Sequence, residues 1–335
     1  MERIREKIIR ALSGRKLSYW KLLKEVSSPL VEVVQTLKDL LEKGEVIWDE
    51  EEKVLYLKEE GEEVPSFQCP ACLGKGRVIK GEFEKAFLKY MEIAQNRPPS
   101  IPEYDQGFIL PEDLVHKAIL MHEKCDLENR KILILGDDDL FSIYVGLVGK
   151  CEKITVVEID ERLVNFINEV SSTEKLEIEV FPYDLSNPLP QQLKNSFDVF
   201  VSEPPESLEG FICFLTRGKE GLKERGSGYI GLTTLESTYE KWGEIQKWCL
   251  NNGFVITDIL KNFSRYWERV QDWEKFYSHF RMLKELPFNP GPVDEDWYTS
   301  DLLRIERITP RKLQSQDLYM DEETWATPLS FSHGD

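Results

Sequence analysis

From Lys131 onward the chain alternates short apolar runs with amphipathic stretches, and that rhythm restricts its possible folds more than any other feature of its 335 residues. "KILILG", "KITVVEID", "LEIEVFPYD", "FDVFVSEPP" and "GYIGLTTLE" have strand length and are rich in Val, Ile, Leu and Phe. A helix separates the last two. "TYEKWGEIQKWCLNNG" reads as a helix ending at Gly253, "FVITDIL" as a sixth strand, and "WYTSDLLRIERI" as a seventh after a long excursion. Strands alternating with helices predict an α/β fold with a mainly parallel sheet covered on both faces. A late seventh strand predicts the methyltransferase-type version of the Rossmann fold.

Residues 1–60 predict a separate, winged-helix-like α+β domain. Ile4, Ile8 and Leu12 recur at helical spacing. "LSYWKLLKEV" reads as a second helix. "SSPLVEVVQTLKDLLEKG" reads as a third, with Ser28 as its cap, Pro29 in its first turn and Gly44 at its stop. "EVIWDEEEKVLYL" predicts two strands around the acidic tip Asp49–Glu52. Such a unit either binds DNA or is reused for dimerisation or docking, and an acidic wing tip argues against DNA. Residues 61–110 are expected to be a linker region holding "CPACLGKGR", a helix around "EKAFLKYMEIA" and a Pro-rich stretch. Residues 111–310 form the Rossmann-type domain, beginning with a helix that has Pro111 at its start, and 311–335 a polar tail.

The net charge of −18 disfavours nucleic acid and anionic membranes and favours cations. No run of about 18 apolar residues suggests a transmembrane helix. The charged, amphipathic start "MERIREKIIRALSG" lacks a signal-peptide core, and the six cysteines do not form a secreted disulfide framework. A cytoplasmic protein is expected. The 31% of charged residues would suit a thermophile.

Ligands of open α/β sheets bind beyond the carboxyl ends of the strands. In this chain nearly every such end carries acids. They are Asp137, Asp138 and Asp139 after Gly136, Glu158 and Asp160 after the second strand, Asp184 after the third, Glu203 and Glu206 in "SEPPES" after the fourth, and Glu236 after the fifth. Some could simply cap helices or turns; Asp184 would either do so or contact an adenine amino group. Glu158, ending the second strand, is placed to accept hydrogen bonds from ribose hydroxyls. Pro204 and Pro205 stiffen the segment that aims Glu203 and Glu206. A pocket anionic on several sides wants a cationic ligand and would repel a nucleotide phosphate. S-adenosylmethionine carries a sulfonium, but its carboxylate would meet the aspartates. Its decarboxylated form ends in an ammonium that an Asp-rich turn would attract while rejecting the carboxylated donor. The remaining acids could hold a polyamine.

"ILILGDDDL", "VVEID" and "SEPPES", with the winged-helix region and "CPACLGKGR", resemble the branched-chain polyamine synthases, the N(4)-bis(aminopropyl)spermidine synthases of thermophilic archaea and bacteria. The resemblance covers essentially the whole chain. It implies aminopropyl transfer from decarboxylated S-adenosylmethionine to the secondary amine of spermidine, releasing methylthioadenosine, and then a second transfer to the same nitrogen. An aspartate is common in that family where this chain has Glu203. Asp160 and Glu203 are the expected catalytic pair, at the ends of neighbouring central strands, positioning and deprotonating the amine. Gly136, Asp137, Asp138, Glu158 and Asp184 would bind the donor, and Asp139, Glu206 and Glu236 the polyamine. Tyr266, Trp267, Trp297 and Tyr298 would either face the cationic product or pack the core.

No tightly bound cofactor is required. Cys69 and Cys72 could be half of a structural metal site, a disulfide or two buried thiols in a tight turn; His116, His122, His279 and His333 lack metal-ligand spacing. A homodimer is expected, and it would bring two such cysteine pairs into one assembly. Two other readings stay open. "EPPE" is similar to the Asp-Pro-Pro-Tyr motif of S-adenosylmethionine-dependent amino methyltransferases acting on nucleic acid, although no aromatic follows the prolines here. A polyamine-sensing winged-helix regulator would need a basic recognition helix, and "VEVVQTLKDLLEK" is mixed.

Overall fold

The computed structural model describes residues 2–59, 61–65, 69, 72, 74–266 and 281–309. The expected tail and Trp267 lie outside the described residues.

The amphipathic spacing at the N-terminus folds into α1 (Glu2–Leu12), α2 (Tyr19–Val26) and α3 (Leu30–Glu42), followed by β1 (Val46–Asp49) and β2 (Val54–Leu57). Ile4, Ile8, Ala11 and Leu12 make the buried stripe of α1. Ser18 caps α2, its hydroxyl accepting Lys21 N–H at 3.2 Å. The wing is an antiparallel pair whose tip uses its own acid: Asp49 accepts the N–H groups of Glu51 and Glu52, each at 3.0 Å. The start of α3 differs from expectation. Pro29 occupies the cap position, and buried Ser28 instead donates to the Val26 carbonyl while accepting from Lys7 Nζ at 2.9 Å. A lysine reaching over from α1 takes up the hydroxyl.

This unit docks on the larger domain. Trp20 is fully buried; it donates to the Gly291 carbonyl at 3.1 Å, and its ring lies 5.4 Å from that of Trp297. Leu30 N–H meets the Leu235 carbonyl at 2.8 Å, and Ser27 bonds Asn262 at 2.8 Å. One hydrophobic core runs from Ile8 and Trp20 into Ile132 and Ile134 of the large sheet.

That sheet contains β3 (Lys131–Leu135), β4 (Lys153–Glu158), β5 (Ile178–Pro182), β6 (Phe197–Ser202), β7 (Leu222–Leu232), β8 (Phe254–Arg265) and β9 (Thr299–Arg307). Their order is β5-β4-β3-β6-β7-β9-β8. The first five run parallel, while β9 runs antiparallel to both β7 and β8. This is the expected Rossmann-type architecture with its late seventh strand inserted between β7 and β8. Side chains of β3 alternate between faces. Ile132 and Ile134 join the core shared with α5 (Pro111–Glu123), α6 (Phe141–Val148) and α7 (Glu161–Glu174). Leu133 and Leu135 join a second core under α8 (Leu208–Gly221) and α9 (Tyr239–Asn251). The chain leaves β3 first toward β4 and β5, then returns to β6 and β7. Strand order therefore reverses at β3, and the crevice opens at its carboxyl end.

The segment expected as a linker does more than link. Its helix α4 (Glu82–Ala94) lies against α6, with Tyr144 donating to the Phe83 carbonyl at 3.1 Å and Tyr90 to the Asp139 carbonyl at 2.7 Å. Ile109 bridges to Tyr266 at the end of β8. Because Trp20 joins two layers through both packing and a hydrogen bond, Trp20→Ala should cost about 3–5 kcal/mol of unfolding free energy. Urea unfolding checks this; a loss below about 1 kcal/mol would show that the docking contributes little.

Candidate active site

The site begins where β3 ends. Gly136 turns the chain with φ +74°, a conformation open to glycine, and its N–H meets the Val157 carbonyl at 2.9 Å. Glu158 anchors the turn, accepting the N–H groups of Asp137 at 2.8 Å, Ile159 at 2.8 Å and Asp160 at 2.9 Å. Each turn aspartate then takes a backbone donor. Asp137 accepts Ser142 N–H at the start of α6 at 3.3 Å. Asp138 accepts Gly107 N–H at 3.0 Å, and Asp139 accepts Ile109 N–H at 2.7 Å. The aspartates thereby tie residues 107–109 over the sheet edge.

Below that strap lies a cavity of about 560 Å³. Asp105, Asp138, Glu158, Asp184, Glu203, Glu206, Glu209 and Glu236 line it, and among the described residues no Lys, Arg or His does. Burial, reinforced by neighbouring acids, pushes protons onto several acids in and just behind this lining. Asp137 and Asp138 are raised well above the ordinary carboxylate range, and Glu158 and Glu236 are raised. Glu206 is pushed up to about 8 by burial, then by Glu236 and Asp105. Asp139 rises to about 6 because burial outweighs the nearby Lys117 ammonium. Such a cavity holds protons that an arriving cation would displace.

Glu203 has a different environment. One oxygen is ion-paired to Lys117 of α5, whose side chain is 2% exposed. The other accepts from Tyr266 Oη at 2.8 Å, and that hydroxyl also reaches Ser300 Oγ at 3.2 Å. The carboxylate leans over Gly231 of β7, where an added Cβ would run into Glu203 Oε2. Further out, Tyr298 Oη links Glu206 at 3.3 Å and Glu236 at 3.1 Å, and Lys241 draws their loops together through both backbone carbonyls. Tyr266 and Tyr298 meet edge to face at 5.4 Å.

The structure therefore brings Gly136, Asp138, Glu158, Asp184, Glu203, Glu206 and Glu236 around one cavity. Asp184 also closes its own turn, accepting Ser186 N–H at 2.8 Å. Asp137 and Asp139 are buried behind the lining as structural acceptors. Asp160, expected in the catalytic pair, is engaged away from the cavity. It caps α7, is clamped by Arg162 at 2.6 Å and by Gln106 at 2.9 Å, and falls to about 2 through the Arg162 guanidinium. A carboxylate so stabilised is a weak base and does not line the cavity. Nor do its strand and that of Glu203 neighbour each other, since β3 runs between β4 and β6. Of the aromatic candidates, Tyr266 and Tyr298 line the cavity, whereas Trp297 is fully buried. Cys69 and Cys72 lie side by side, and backbone N–H groups of Gly76 and Gly74 hold the Cys72 thiol down. No third metal-ligating side chain joins them among the described residues.

Sequence reasoning missed Lys117, Gln106 and Asp105. Lys117 leaves a trace, being a charge inside the apolar helical run "LVHKAILM". The other two belong to an irregular strap that carries no periodic signal.

Two predictions follow from this geometry. Gly231→Ala should displace Glu203 without unfolding the protein, lowering turnover roughly 100-fold; normal turnover would mean that Glu203 tolerates another position. The folded pKa of Glu206 lies above its unfolded value. Its stabilising contribution is present below about pH 4.5 and lost as pH rises through about 8. The melting temperature of the ligand-free protein should therefore decline across that window, less so in Glu206→Gln.

Comparison with known proteins gives a consistent result. A family model described as the branched-chain polyamine synthase A C-terminal domain matches residues 85–326. The N(4)-bis(aminopropyl)spermidine synthase of Thermococcus kodakarensis is 34% identical, over 97% of this chain and 95% of that protein. The enzyme of the same name from Methanocaldococcus jannaschii is 35% identical, over 92% and 88%. The crystal structure of the branched-chain polyamine synthase from Thermus thermophilus, in complex with N4-aminopropylspermidine and 5′-methylthioadenosine, aligns with a TM-score of 0.83 at 30% identity, covering 93% of this chain and 89% of that one. With a fold match across both layers and sequence matches along nearly its whole length, the chain belongs to the branched-chain polyamine synthase family.

Proposed function

We propose that this protein transfers aminopropyl groups from decarboxylated S-adenosylmethionine to the secondary amine of spermidine. The products are N4-aminopropylspermidine, then N4-bis(aminopropyl)spermidine, with 5′-methylthioadenosine released at each step. The observation carrying this reading is a cavity lined, among the described residues, by eight carboxylates and no basic side chain. That lining suits a polycationic acceptor and a donor with both sulfonium and ammonium groups. It opposes nucleic-acid phosphates, which weighs against the methyltransferase reading, and α3 of the winged helix is partly covered by docking, which weighs against the regulator.

The donor end runs from Gly136 and Glu158 to Asp184. In this assignment Glu158 accepts from the ribose and Asp138 takes the donor ammonium. The acceptor end contains Glu203, Glu206 and Glu236. In the first transfer the secondary nitrogen attacks the carbon next to sulfur. The C–N bond forms, the C–S bond breaks and its electron pair stays on sulfur, giving a neutral thioether. The nitrogen proton leaves to Glu203, directly or through water. In the second transfer a tertiary amine attacks and the product is a quaternary ammonium. No proton is lost, so only positioning and charge stabilisation are required. Asp160 supports the strap through Gln106 and takes no proton.

Glu203→Gln should therefore cut turnover roughly 100-fold or more, whereas Asp160→Asn should mainly cost about 1 kcal/mol of stability through its lost helix cap. Equal kinetic losses in the two would reinstate Asp160 as a base. Asp138→Asn should narrow the preference for the decarboxylated donor by about 1–3 kcal/mol in calorimetric titrations of both donors. An unchanged ratio would remove the turn from donor selection.

A further inference from the structure

Among the described residues Glu203 is the one cavity-lining carboxylate in a side-chain ion pair. Its partner Lys117 is almost wholly buried. It stands 5.5 Å from the Phe141 ring centroid and does not reach the cavity surface. Glu206 and Glu236, by contrast, share the Tyr298 hydroxyl and have no side-chain ion pair among the described residues, the nearby Lys241 ammonium being bound to their backbone carbonyls. The acceptor end is therefore patterned, with its outer carboxylates unpaired and its inner one paired from behind.

A polyamine entering such a field gains most by placing its ammonium groups against the acids that have no side-chain ion pair. A nitrogen opposite the neutralised pair gains little from keeping its proton. Only an unprotonated nitrogen can attack the donor. We infer that Lys117 is a specificity-determining positioning residue. By cancelling the charge of Glu203, it makes the reacting position the one place in the acceptor site where an uncharged amine is favoured, and so directs attack to the inner secondary nitrogen rather than a terminal primary one. This inference rests on the proposed aminopropyl transfer. It adds a reason why the transfer branches the acceptor instead of lengthening it.

The test reads product isomers, which share a mass and separate by chromatography: N4-branched tetraamine against linear tetraamine. Wild-type enzyme should give the branched isomer. No aminopropyl transfer, or transfer to a terminal nitrogen, would sink the functional reading itself, whatever the variants do. Lys117→Met leaves Glu203 uncompensated and should let linear isomers reach roughly a tenth or more of the product, while Lys117→Arg keeps the wild-type pattern. A folded Lys117→Met enzyme that makes only the branched isomer overturns the inference.

A second measurement does not depend on that variant folding. Glu203→Gln leaves the Lys117 ammonium unopposed and should weaken spermidine binding about tenfold or more, measured with 5′-methylthioadenosine bound. The double variant Lys117→Met/Glu203→Gln should recover most of that affinity and make no linear isomer in single-turnover product analysis. Failure of the double variant to regain affinity, or linear product from it, overturns the inference as well.

Discussion

Backbone amides, rather than cations, hold most of the acids at the carboxyl edge of this sheet, and the rest of the site depends on that. Glu158 takes three N–H donors, and Asp137, Asp138, Asp139 and Asp184 take further ones. An amide dipole satisfies a carboxylate's hydrogen-bonding demand without cancelling its charge. The cavity can therefore concentrate acids in a fixed geometry and still present a strongly negative field. Had lysines and arginines done the same job, the lining would be just as ordered and of no use for a polycation. Burial and the neighbouring acids raise Asp138, Glu158, Glu206 and Glu236, at the first three in spite of such amide bonds, which pull the other way.

The framework was legible in the sequence because its signals are local and periodic. The seven apolar runs appear as β3 to β9, and the late strand inserts between β7 and β8. Acids at strand ends are equally local, since a strand's carboxyl end faces the crevice whatever the rest of the chain does. What the sequence could not reveal were the partners. Asp160 and Glu203 look alike as acids following strands, yet one meets Arg162 two residues away and the other meets Lys117 and Tyr266 from distant elements. One partner removes basicity and the other leaves a carboxylate facing the cavity. No pattern in β4 or β6 distinguishes them.

The winged-helix unit gains meaning from its position. Its third helix begins at a hydrogen bond to Leu235, the residue before Glu236, and its second helix grips Gly291 and Trp297, close in sequence to Tyr298. Two walls of the acceptor end are thus braced from the N-terminal unit. A fold module commonly associated with nucleic acid here packs behind the site, and at its acidic tip Asp49 closes the turn while Glu50 and Glu52 pair with Lys53 and Lys16.

Glu203 and Gly231 are best regarded as one feature written at two positions. The longer acid fits over β7 only because its neighbour across the strand pair has no side chain. Among related chains, then, an acid one methylene shorter at this place would free the facing residue to carry a side chain, and each half of the exchange alone would be a loss. Comparing only the acids of such sites would miss that constraint, because half of it is kept by a residue with no chemistry of its own.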